Sequence, residues 1–574
     1  MKIMMCSNDF SVTLMILCLL GVSACQPDKA EQSAVVPAVA ENVTLVHQAR
    51  IYTFDKDNAV IADGAMAVSS SGEILAVGET SALETSFPQA RKVDLQGHVV
   101  LPGLIDAHGH LVGLALSLTR ADLTGTRSKE EVMQRLRDFE QTLAPDDWLL
   151  GEGWDQNDWP DNAFPTREDL DQEFSTRPVW LGRIDGHAAW GNSLAMAQAD
   201  RDFSGDWNPP GGLIHRDASG QPTGIFVDNA VGLVEAVVPP VSEEVLDAAL
   251  GRAMEMLLSL GLTGVHDPGI GLADVRRYQK RIAQGRLPLR VYAMAGGMGE
   301  MLQWLCDSGP LFDPSGLLVM RAVKLYADGA LGSRGAALLE DYSDDPGNRG
   351  LLFNDDLAVQ DHMRRIMSCG LQVAIHAIGD AGNRQVLDAY AVVIPEFPDN
   401  PGRHRIEHVQ VLAPADIPRL AQLGVIGAMQ PTHATSDMYW SEARLGPERI
   451  TGLYAWRDLL SDGTRLALGS DFPVESVNPM LGIYAAVTRQ DLKGWPEGGW
   501  FPDQRLTRDE AVRGFTIDAA YAAFMERLVG SLEAGKRADF IVLDRDLMQV
   551  PATEIPEVRV LQTWVDGIRV YEGS

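Results

Sequence analysis

Cysteine is scarce, with five residues in 574, and three of them fall in the first 25 positions, leaving Cys306 and Cys369 for the rest of the chain. That excludes a disulfide-built scaffold and a cysteine-rich metal site, although one disulfide between the remaining two stays open. Positive charge is also short: 48 Lys and Arg face 79 Asp and Glu, a formal charge of −31. Such a field repels nucleic acid and anionic lipid, so neither is an expected partner. Long apolar runs are missing as well. The stretch "VTLMILCLLGVSA" (12–24) is too short to span a bilayer as a helix. No fixed-period repeat is evident, and histidine is sparse, at 12 residues.

That short apolar stretch reads as an export signal, because it has the length of an h-region and ends in small residues. The tetrapeptide "VSAC" (22–25) resembles a bacterial lipobox, which implies removal of residues 1–24 and diacylation of Cys25. A polar linker follows to residue 41. The expectation is a folded body held by a lipid anchor in the bacterial envelope, facing the periplasm, with no other membrane contact.

At 574 residues the chain exceeds what one hydrophobic core can hold. Short β-type runs broken by turn signals occupy residues 43–100, and the same texture returns near the C-terminus in "ADFIVLDRD" and "VRVLQTWVDGIRVYEG". The pattern predicts one β-sandwich built from both termini, 42–100 and 525–574, enclosing a catalytic body at 101–524. In that body eight apolar runs alternate with helical patterns: "VVLPGLIDAHGH", "GLTGVHDPG", "LRVYAMA", "RAVKLYADG", "LQVAIHAIGD", "HRIEHVQ", "GVIGAMQPTH" and "RLALGSDFP". Eight such strands predict an α/β fold, a (β/α)8 TIM-like barrel. A ninth run, "RPVWLGRIDGHAAW", is one too many and assigns roughly residues 112–245 to an insertion over the barrel mouth.

Alternation along a strand places His108 and His110 on one face, shared by Leu104 and Asp106, and barrels keep their sites at strand C-termini. Asp106 is thereby placed to steady the histidines. Near the ends of later strands stand Lys324, His376, His408 and Asp471. Four histidines and a carboxylate make an N/O metal site suited to zinc, with manganese, iron or cobalt as alternatives. A protonated lysine cannot ligate, so Lys324 joins the set only when neutral or carboxylated; otherwise it pairs with Asp328 or a substrate carboxylate. A carbamate there would bridge two metals.

Several stretches, "LPGLIDAHGHL", "GWDQNDWP", "VKLYADGALGSRGAAL", "IHAIGD", "RIEHVQ", "QPTHATSD" and "GSDFPVE" among them, resemble the amidohydrolase superfamily and its amidohydrolase 3 branch, which includes the N-substituted formamide deformylases. The resemblance implies that His108, His110, Lys324, His376, His408 and Asp471 hold one or two divalent metals. It implies hydrolysis of an amide-like C–N bond in a small molecule by metal-activated hydroxide, with Asp471 first base and then acid. Dimers are common in the family, which leaves a homodimer open; the sequence itself does not give the oligomeric state. Ring deamination and ester cleavage are alternatives on the same site, and a non-catalytic binding lipoprotein is the alternative of another class. For substrate contact the sequence offers His187, Trp154 and Trp159 as an aromatic wall or as packing, Arg334 in a glycine-rich loop, and His433. His266, at the end of the second strand, reads either as a supporting residue behind the ligands or simply as a barrel residue.

Overall fold

The computed structural model describes residues 42–184, 188–209 and 212–573. The export signal, the linker, Cys25 and His187 lie outside the described residues.

All eight apolar runs form barrel strands: β1 (Leu104–Asp106), β2 (Leu262–Ile270), β3 (Arg290–Gly296), β4 (Leu318–Tyr326), β5 (Gln372–Ala377), β6 (Arg405–His408), β7 (Ile426–Met429) and β8 (Leu466–Leu468). Each pairs in parallel with the next. Beyond the ladder, Ala107 N–H reaches Leu468 O at 3.0 Å and Asp471 N–H reaches His108 O at 2.6 Å, which draws β1 and β8 together. The strands are largely apolar because both faces are buried, with the polar exceptions such as Lys324, Arg405 and Glu407 also buried. Ile105 and Met294, with the small residues Ala107, Ala322, Ala374 and Ala467, turn inward and make the floor. Val323, Val373, Ile375 and Ile406 turn outward against the helices. Small side chains at the floor leave room for the polar layer above it, where the site is built.

Strands from the two termini share one sheet. Val99–Pro102 pairs in parallel with Thr44–Tyr52 on one side and antiparallel with Phe540–Leu543 on the other, bridging the two ends of the chain into eight strands. The ninth run contributes Val179–Arg183 and Ala188–Gly191 to a separate six-stranded sheet inserted between β1 and β2.

Cys306, in the helix Glu300–Ser308, is disulfide-bonded to Cys369, which caps the helix Asp356–Ser368. The bond closes a 63-residue separation, and restricting a loop of that size in the unfolded chain stabilises by about 2–4 kcal/mol. Urea melts of the Cys306→Ser/Cys369→Ser variant should show a loss of that order. An unchanged midpoint would mean that the bond contributes nothing in solution.

Candidate metal centre

The "HGH" element begins where β1 stops. Because β1 ends at Asp106, strand alternation does not aim His108 and His110; the bends after the strand do. Asp106 steadies His108 through the backbone. Its carboxylate accepts from His108 N–H at 3.0 Å and from Ser470 N–H and Oγ–H at 3.1 and 2.7 Å, tying the end of β1 to the end of β8. Gly469 allows this closeness, since a Cβ there would lie 2.4 Å from Asp106 Oδ1.

His108 is fully buried and its Nδ1 lies 2.5 Å from Glu407 Oε2. Glu407 in turn takes Arg405 Nε–H at 2.5 Å and Nη2–H at 2.9 Å, and Arg405 donates onward to His266 Nδ1 and Ala107 O. Burial works against the Glu407 charge, yet Arg405 and His108 hold its carboxyl well below the usual range. A carboxylate on Nδ1–H fixes the tautomer and leaves the His108 Nε2 lone pair facing the site. His408 is oriented alike: its Nδ1 lies 2.8 Å from Gln430 Oε1.

His408 follows Glu407 directly, so strict alternation would turn it away from the barrel. It adopts φ 77°, outside strand geometry, and its ring lies 4.8 Å from that of His108 and 4.6 Å from that of His376. Asp471 is likewise left-handed, at φ 63°. Such backbone costs ~1–3 kcal/mol per residue and clusters where a side chain must be aimed.

Asp471 joins the halves of the cluster. Its Oδ1 lies 3.2 Å from His110 Nε2 and 3.7 Å from His108 Nε2, and its Oδ2 lies 3.3 Å from His433 Nε2. Oδ1 is buried and accepts no hydrogen bond in spite of its histidine neighbours. Ligating atoms of His108, His110 and Asp471, and of His408, His433 and Asp471, form two groups each within 4.8 Å. Lys324 Nζ sits 3.3 Å from His108 Nε2, and burial lowers its pKa to about 8. Burial, then the nearby Lys324 charge, pushes His108 down to about 4 and His376 to about 3. Burial likewise holds His408 well below its ordinary value, whereas His433, against its burial, is raised to about 10 by Asp471 and Glu475. Neutral His108, His376 and His408 beside an unpartnered carboxylate oxygen are the donor set a divalent cation takes, and these residues fit such an ion.

The other expected contacts are placed differently. Trp154 and Trp159 belong to the core of the insertion, where Trp154 is fully buried, donates Nε1–H to Leu181 O and packs on Trp159 and Trp190; they pack the insertion rather than forming a wall. A domain this small fills its centre with large rings. Arg334 is committed to Asp344, at 2.9 and 3.1 Å. Asp328 does not pair with Lys324: its carboxylate receives the N–H groups of Ala337, Ile378 and Gly379. His433 does enter the cluster, its Nδ1 3.3 Å from Glu475 Oε1. Glu407, Gln430 and Glu475 were not anticipated. The signal for Glu407 was a pair of charged residues inside the four-residue strand "RIEH", which is wholly buried.

A parallel eight-stranded barrel with histidines, a lysine and an aspartate converging beyond its strand C-termini defines a metal-dependent hydrolase. The chain belongs to the Amidohydrolase family, whose model matches residues 91–571. As a member it is a hydrolase acting on carbon–nitrogen bonds. It is 35% identical over 515 residues to the YtcJ protein of Bacillus subtilis, covering 88% of this chain and 95% of that one. With the N-substituted formamide deformylase of Arthrobacter pascens it shares 30% identity over 526 residues, 88% of this chain and 94% of the relative. An uncharacterised metal-dependent hydrolase from Pyrococcus furiosus superposes with a TM-score of 0.72 at 30% identity, over 88% of this chain and all of that one.

Proposed function

We propose that the protein hydrolyses an amide-like C–N bond of a small molecule, with His108, His110, Lys324, His376, His408 and Asp471 holding one or two divalent ions, zinc foremost. The observation that carries this reading is Asp471 Oδ1, a buried carboxylate oxygen without a hydrogen bond, 3.2 Å from His110 Nε2 and 3.7 Å from His108 Nε2. An ion held there supplies Lewis acidity and brings the pKa of water at the site toward ~7. Asp471 receives the proton of the attacking water on one oxygen and delivers it to the departing amine. Glu407, through His108 Nδ1, keeps that imidazole oriented throughout. Lys324, buried and with its pKa lowered to about 8, has a substantial neutral fraction at mildly alkaline pH. That is the form that carbon dioxide carboxylates, and a carbamate at the end of its arm would ligate. His433 is placed to donate a hydrogen bond to the substrate carbonyl.

Metal analysis of the purified protein is expected to find about one or two tightly held divalent ions per chain. Chelation should abolish hydrolysis of N-formyl amines or N-acyl amines, and zinc or manganese should restore it. Metal-free protein that turns over such amides at the full rate would end the proposal. The lipobox reading and the Cys306–Cys369 bond, which suits an oxidising compartment, together support a lipid-anchored periplasmic enzyme. A Cys25→Ser protein processed and membrane-bound like the wild type would refute the anchor.

A further inference from the structure

Between the insertion and the barrel mouth lies a cavity of about 1230 Å³, above the ~300–1,000 Å³ usual for small-molecule sites. Its barrel-side wall is formed by the segments that follow two of the proposed ligands. The lining residues Leu114 and Val474 are each one backbone hydrogen bond from a proposed ligand, Leu114 N–H to His110 O at 2.8 Å and Val474 N–H to Asp471 O at 2.9 Å. Across from them the insertion supplies Ile184. Val474 is 70% exposed and Ile184 50%, apolar surface that no described residue covers and that an apolar ligand would.

The charges lining the cavity are unequal. Arg120 is paired with Glu152, and Arg183 with Asp155 at 2.5 Å. Asp122 and Glu235 are exposed and, among the described residues, in no ion pair. The cavity therefore offers apolar contact together with two carboxylates that lack a cation. Among the described lining residues an anion meets repulsion and no unpaired cation, whereas a cation gains from both carboxylates.

We propose that this cavity receives the apolar body of the substrate and selects amides that carry a positive charge, or none, over those with a carboxylate such as N-acyl amino acids. The selection rests on the amide-hydrolase reading of the adjoining centre, but its test does not need turnover. Isothermal titration of the metal-loaded full chain with (2-naphthylmethyl)trimethylammonium, which neither titrates nor ligates, and with 2-naphthylmethanesulfonate compares one apolar body bearing opposite charges. The cation should bind about tenfold or more tightly than the anion. Val474→Trp, at a position exposed enough to tolerate the change, should weaken the cation by roughly tenfold by filling the mouth. The chain's overall −31 charge attracts cations everywhere, so Asp122→Asn/Glu235→Gln isolates the local effect and should reduce the preference to within about threefold. Equal binding of the two probes, a preference that survives the double neutralisation, or no response to Val474→Trp would each overturn the inference. Selective binding in a protein that hydrolyses no amide would leave the cavity's preference standing and remove only the hydrolytic reading.

Discussion

Asp471→Asn is expected to lower kcat/KM for any amide substrate by roughly 1,000-fold, the scale of a lost general base and acid, while the protein keeps most of its metal. The asparagine retains one carbonyl oxygen in the place of Oδ1, so ligation by that atom is preserved in kind. What it cannot do is accept the proton of the attacking water. Burial opposes the charge of Asp471, but contacts with His110 and His433 and the fields of His108 and His408 hold the carboxyl well below its ordinary value. It is thus ionised and ready at neutral pH, and its left-handed backbone, φ 63°, fixes where both oxygens point. The check is kcat together with metal content on the same preparation. Retained metal with kcat reduced less than about tenfold would mean that another group carries the proton; loss of metal in parallel with activity would make Asp471 chiefly a ligand.

His433 shows where the sequence was informative in kind but not in role. It was legible as a pocket residue because it follows a strand end in "QPTH". That it approaches Asp471 to 3.3 Å depends on Pro431 starting a helix at once after β7, with Gln430 as the preceding residue. The eight strands were legible because strands buried on both faces read as apolar runs whatever their partners. Pairings across the barrel were not. His108 meets Glu407 at a separation of 299 residues, and no local pattern relates the two. Arg334 failed for a plainer reason: its partner Asp344 lies only ten positions away, on a loop whose return path has no regular period. Trp154 and Trp159 misled because aromatic density near a turn looks the same whether the rings face a ligand or a small domain's own core.

Glu407→Gln should cost about 3–5 kcal/mol of stability, the usual penalty for leaving one member of a buried ion pair alone, and should weaken metal binding roughly 10–100-fold by loosening His108. Arg405 and Glu407 are both fully buried, so no water screens the arginine once the carboxylate is gone. Its remaining bonds, to His266 Nδ1 and Ala107 O, satisfy hydrogens but bring no countercharge. The pH dependence has a definite sign. Glu407 is depressed from its ordinary 4.5 when folded, so its contribution is complete above that value and is lost as pH falls toward the folded pKa. The gap between wild type and Glu407→Gln, measured by urea unfolding of metal-depleted protein, should be full at pH 7 and narrow as the solution is acidified below the ordinary carboxylate range. A second substitution decides the cause. Arg405→Met on top of Glu407→Gln removes the orphaned charge and should recover a good part of the lost stability, since apolar replacement of a buried pair is often neutral. Recovery would make Arg405–Glu407 a device for orienting His108 rather than a stabilising element. No recovery would mean that the loss comes from packing around β6, and Glu407 would then have no claim to orienting His108.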